Sequence, residues 1–153
     1  MPIGFKKITC HLIFDVKFDL TRKARYVGGV YLTQVSTSLS HPSVVSRDSV
    51  HIMFLVAALN DLDIKMYDIG NAYLNAETRE RIWFTAGQEW GNRAGYEVII
   101  VRALYGLKTS GDKWKKTFSS YTKNTLGYSG YIGADNNVYL RAEKDEDGND
   151  YYS

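Results

Sequence analysis

With only one cysteine, Cys10, the chain can form no internal disulfide. That fits an intracellular protein without requiring one. No apolar run approaches the roughly 20 residues that span a bilayer. The opening MPIGFKKI lacks the apolar core of a secretory signal. Neither sign of charge is in large excess, with 19 Lys and Arg against 17 Asp and Glu. No segment repeats internally.

What remains is ordinary globular composition. Of 153 residues, 44% are hydrophobic and 24% charged, enough for one core and one domain and unlike a disordered chain. Twelve tyrosines raise the aromatic share to 14%, more than a core of this size needs, so partly exposed rings are expected. Charge is unevenly placed. Residues 1–25 carry six Lys or Arg against two acids, and residues 102–123 carry six against one. The middle and the end are acidic. Two basic blocks around an acidic middle suit a polyanion partner that also meets a metal, although solvated surface explains charge runs more often.

Alternation in CHLIFDVKFD puts Cys10, Leu12, Phe14, Val16 and Phe18 on one face of a half-buried strand. FDLTRKARYVGGVYL supplies a turn and a return strand, giving a basic hairpin. Ser36 to Ser43 reads as loop. Ser46 is placed to cap a helix from Arg47 to Leu59, with Asp48 in its first turn and Asn60 at its stop. That helix is apolar nearly all round, so burial on more than one side is expected. LDIKMYDI alternates again and predicts a strand ending at Asp68. Asn71 to Asn75 predicts a tight turn or short helix. RIWFT and EVIIVRAL predict further strands joined through Ala86 to Gly95. Trp114, Phe118, Tyr121 and Thr125 have amphipathic helical spacing, with Gly127 at the stop. Beyond Val138 to Leu140, a hairpin is expected to turn at Asp147-Gly148.

A carboxylate at a strand end is a good ligand for a hard cation, and the turn after it can aim N–H groups at a triphosphate. An aromatic brought round by that turn can lie beneath a sugar. Taken alone, D-x-x-x-x-Y is common, and a structural Asp with a core Tyr explains it more often.

Four stretches narrow the choice. KARYV, SVVSRDSVHIMFLVAALNDL, DIGNAYLNAETRERIWF and VRALYGLKTSGDKW, in this order and spacing, resemble the reverse transcriptase of copia-type retrotransposons. The resemblance runs from PIGFKKI to NDYY, and ALYGLK…W is its most specific piece. It implies an α+β fold: an antiparallel palm sheet backed by helices, with a partial fingers hairpin, in a single partial domain over 1–153. It implies that Asp68 is a catalytic, metal-binding aspartate and that the Ile69 carbonyl is a further metal ligand. The N–H groups of Asn71 and Ala72 would face the triphosphate. Tyr73 would be the steric gate against a ribose 2′-hydroxyl. Lys23 and Arg25 would hold the incoming triphosphate, and Tyr105 and Gly106 would contact nucleotide and template. Two Mg2+ ions, an RNA template, a DNA primer and deoxynucleoside triphosphates are the implied cofactor and partners, with no membrane. The implied location is intracellular, in a cytoplasmic particle or the nucleus.

The chain departs from the family in two places. It reads GLKTSGD where many members read GLKQAPR. It contains no Asp-Asp pair, whereas the family carries a YVDD-type box on the strand after the NDYY position. By this resemblance the fingers are trimmed, thumb and RNase H regions are absent, and the chain is inactive alone. The palm strand ending at Asp68 is expected beside Val138 to Leu140. The alternative is a non-catalytic nucleic-acid-binding remnant of a transposon.

Overall fold

The computed structural model describes residues 3–29, 44–130, 135–144 and 147–152. It is an α+β chain whose contacts divide it into two compact units. One comprises residues 1–41 and 71–115, the other 42–70 and 116–153.

In the first unit, Cys10–Val16 (β2) and Arg22–Gly28 (β3) form the expected antiparallel hairpin, with Leu12 opposite Tyr26 and Phe14 opposite Ala24. Only its base is half-buried: Cys10 and Leu12 face the interior, whereas Phe14 is 75% exposed. Ile82–Thr85 (β4) and Glu97–Ile99 (β5) pair antiparallel, with β5 ending five residues short of the predicted EVIIVRAL strand. The sheet they belong to is mixed rather than purely antiparallel. Lys6–Lys7 (β1) runs parallel to β4, through Lys6 N–H to the Arg81 carbonyl and Ile8 N–H to the Trp83 carbonyl, both 2.8 Å. Two lysines carry no strand pattern; β1 exists because the partner strand supplies its hydrogen bonds.

The core of this unit is Ile8, Ile82, Phe84, Ala86, Ile100 and Leu107, with Cys10, Tyr26 and Trp90 packed against it. Tyr26, Phe84 and Trp90 form a mutual ring cluster with centroids 5.4–5.7 Å apart. Each large side chain fully buried there is worth about 1.5–3 kcal/mol.

In the second unit, Arg47–Leu59 (α1) has the predicted bounds. Ser46 Oγ accepts the Ser49 N–H at 3.0 Å, and the Asn60 N–H closes the helix on the Val56 carbonyl. The expected all-round burial is corrected. Only Ala57 is buried, while Ile52, Met53, Phe54, Leu55 and Leu59 are exposed. The predicted strand over Leu62 to Asp68 is also corrected: among the described residues the segment has no strand pairing, and residues 61–70 are exposed. Alternation offers a face to pack, but without a neighbouring strand no ladder forms. Tyr139–Leu140 (β7) instead pairs with Ser129–Gly130 (β6). Ala142–Lys144 (β8) pairs with Asp150–Tyr152 (β9) around the turn containing Asp147 and Gly148, as expected.

Ser110–Asn124 (α2) carries the predicted second helix and runs from one unit into the other. Gly127, at φ +75°, turns the chain so that the Tyr128 N–H reaches the Thr122 carbonyl. The expected loop over Ser36 to Ser43 lies outside the described residues. No helix among the described residues is long and apolar enough to cross a membrane.

Candidate nucleotide site

The first unit brings three of the sequence-selected side chains into one column. Tyr73 and Tyr105 lie with ring centroids 4.7 Å apart at 45°. The Arg25 guanidinium sits 5.9 Å from the Tyr105 centroid, at the outer limit of a cation–π contact.

Local backbone explains each position. Asn71 adopts a left-handed conformation, φ 51° and ψ 40°, and Ala72–Asn75 then forms one 3-10 turn. The Leu74 N–H closes it on the Asn71 carbonyl at 2.8 Å. A left-handed residue followed by a right-handed turn presents successive N–H groups together, the arrangement that favours an anion. Among the described hydrogen bonds, the N–H groups of Asn71 and Ala72 have no acceptor. The turn carries Tyr73 to the ring of Tyr105.

Tyr105 is held through backbone. The Gly28 N–H donates to its carbonyl at 2.8 Å, and Val27 and Tyr105 form an isolated parallel bridge. Gly106 follows at φ +86°, and a Cβ there would come within 2.3 Å of the Gly28 carbonyl oxygen. Only glycine permits this approach. Lys23, Arg25 and Val27 alternate onto one face of β3, and Tyr105, bridged to Val27, carries its ring on that same face. Lys23 is half-buried, and Arg25 is paired with Asp15 at 3.7 Å.

Asp68 and Ile69 belong to the second unit and are exposed. They offer oxygen donors of the kind magnesium prefers. Among the described residues no three His, Cys, Asp or Glu side chains converge as a metal cluster. These two donors would make up only a minor share of a magnesium ion's coordination.

Sequence reasoning missed Asp135. Its carboxylate accepts the Ser46 N–H at 2.7 Å, the Ser49 hydroxyl at 2.9 Å, and the Asn137 N–H at 2.9 Å. These bonds, led by that from Ser46, hold its carboxyl well below the usual carboxylate range. The residue anchors the start of α1. Its only local signal is a turn-forming Asp-Asn-Asn, and its two serine partners lie 86 and 89 residues away.

The chain is 31% identical over 125 residues to the Transposon Ty1-BL Gag-Pol polyprotein of Saccharomyces cerevisiae, covering 78% of this chain and 7% of that protein. The Ty1-DR4 Gag-Pol polyprotein of the same yeast gives 31% over 125 residues, 78% and 8%. The chain thus spans less than a tenth of the curated relatives it matches. The similarity is distant and consistent with a retrotransposon-derived protein. No protein-family model and no solved structure matches the chain.

Proposed function

We propose that the chain is part of an RNA-directed DNA polymerase of a copia-type retrotransposon, a single partial domain of palm and fingers acting inside the cell. The observation that carries this reading is the Arg25–Tyr105–Tyr73 column. It supports the reading because a guanidinium and two rings lie in sequence, and in this proposal they serve as a cation for phosphate, a bracing ring and a sugar-facing ring. Arg25 and Lys23 hold the triphosphate by charge, and the Asn71 and Ala72 N–H groups add neutral donors. Tyr73 occupies the space a 2′-hydroxyl would need, and Tyr105 stops its ring from turning aside. Tyr105 and Gly106 set the nucleotide against the template. The Asp68 carboxylate and the Ile69 carbonyl would hold magnesium, which would stabilise charge on the phosphates and activate the primer hydroxyl. The protein otherwise contributes positioning and electrostatics to addition of a deoxynucleotide on an RNA template and DNA primer.

The test uses a version extended through an Asp-Asp box and a thumb. There, Tyr73→Val admits ribonucleotides, Arg25→Ala weakens use of every nucleotide, and Asp68→Asn abolishes extension. Sugar discrimination unchanged in Tyr73→Val would remove the gate assignment, and full activity of Asp68→Asn would mean the wrong carboxylate has been chosen.

A further inference from the structure

A second cationic cleft lies in the first unit. Thr78 N–H bonds the Val101 carbonyl at 3.2 Å, and Ile100 N–H bonds the Ile82 carbonyl at 3.1 Å. Between these two bonds one arm spends three residues, Arg79 to Arg81, where the other advances directly from Ile100 to Val101. The surplus bulges outward. The Ile82 N–H folds back on the Glu80 carbonyl at 3.1 Å, and the Glu80 N–H bonds Thr78 Oγ1. Bulges of this kind re-aim side chains and are common beside binding sites. Here the bulge walls a cleft of about 410 Å³ lined by Arg79, Arg81 and Arg102, with Phe5, Ile99 and Val101 as apolar surface.

Charge in the cleft is not internally balanced. Among the described residues none of the three arginines has a carboxylate within 4.0 Å. Of the two lining carboxylates, Glu80 accepts a hydrogen bond from Thr109 Oγ1, and Glu77 backs onto Arg102 through an isolated bridge. Three guanidinium groups beside an aromatic ring and aliphatic floor offer two kinds of contact at once. The guanidiniums match phosphate oxygens in bidentate geometry. The ring and floor match the face of a base. An acidic peptide would use the charge and leave Phe5 without a stacking partner.

We propose that this cleft is a binding subsite for single-stranded nucleic acid, separate from the Arg25–Tyr105–Tyr73 column, with Arg79, Arg81 and Arg102 on phosphates and Phe5 under a base. The test is fluorescence anisotropy of a labelled oligothymidylate with the 153-residue protein at several salt concentrations. Arg79→Gln/Arg81→Gln/Arg102→Gln should weaken binding at least tenfold. It should also flatten the salt slope by about 2, since each phosphate contact on a single strand contributes about 0.7. Replacement of all three by lysine should restore the slope, and circular dichroism checks that each variant is folded. Phe5→Ala should weaken binding without moving the slope. If the glutamine variant fails to fold, the Arg102→Gln single variant and photo-cross-links from a thiothymidine oligonucleotide decide. Unchanged affinity and slope, or cross-links mapping wholly outside Phe5 and Glu77 to Arg102, would overturn the proposal. Tighter, arginine-dependent binding of oligoglutamate would overturn the choice of ligand.

Discussion

Cys10 shows how residue-scale chemistry follows from packing. Its burial against the core, helped by the Glu89 carboxylate, pushes the thiol pKa up to about 11. At pH 8 the thiolate is then scarce, and iodoacetamide should react on the order of 100-fold more slowly than with a free cysteine. Denaturant should erase the difference; rapid alkylation of the folded protein would contradict this burial. Gly106 makes the second residue-scale prediction. Gly106→Ala adds a Cβ at a strained φ and within 2.3 Å of backbone. A loss of about 1–3 kcal/mol is expected in a denaturant melt. Of the sequence-selected site residues, Arg25, Tyr73 and Tyr105 meet in space, whereas Asp68 and Ile69 fall in the other unit. The turn over Asn71 to Asn75 was legible because its signals are local. The ring contact between Tyr73 and Tyr105 was not, because it depends on how β3 grips the Tyr105 carbonyl.

At the scale of elements, α1 depends on a distant carboxylate. The folded pKa of Asp135 lies below its unfolded value near 4. Its stabilising effect is therefore complete above pH 4 and is lost as pH falls through the folded value. Amides in the first turn of α1 should lose exchange protection as pH drops from 5 to 2. Asp135→Asn should exchange faster at neutral pH and show less of this acid dependence; identical profiles would remove Asp135 from the cap. Which elements were legible follows from the range of their signals. Both helices and the hairpins at Cys10–Gly28 and Ile82–Ile99 could be read, because capping, periodicity and turn residues act within a few positions. The strand over Leu62 to Asp68 was misread because alternation specifies a face and not a partner. The parallel strand at Lys6–Lys7 went unseen because only its neighbour makes it a strand.

If the basic blocks around β3 and α2 meet phosphate, duplex affinity should fall steeply between two ionic strengths and depend little on sequence. Equal affinity at both would remove the polyanion reading. If the proposed function holds, primer extension by the 153-residue protein should be absent even with ample magnesium, because Asp68 alone would give two cations too few ligands. Robust extension would show that other groups complete the metal sites.

The contact of Gly28 with Gly106 has a mechanical meaning. Two residues without side chains make a seam across which the hairpin and the Tyr105 loop share backbone directly. No rotamer change can take up slack there. A tilt of the hairpin would therefore act directly on the backbone that carries the Tyr105 ring, which lies against Tyr73. The groups proposed to sense phosphate and sugar are thus geared together. Under the proposed function, a ligand drawing on Arg25 would also bear on the ring proposed to gate its sugar.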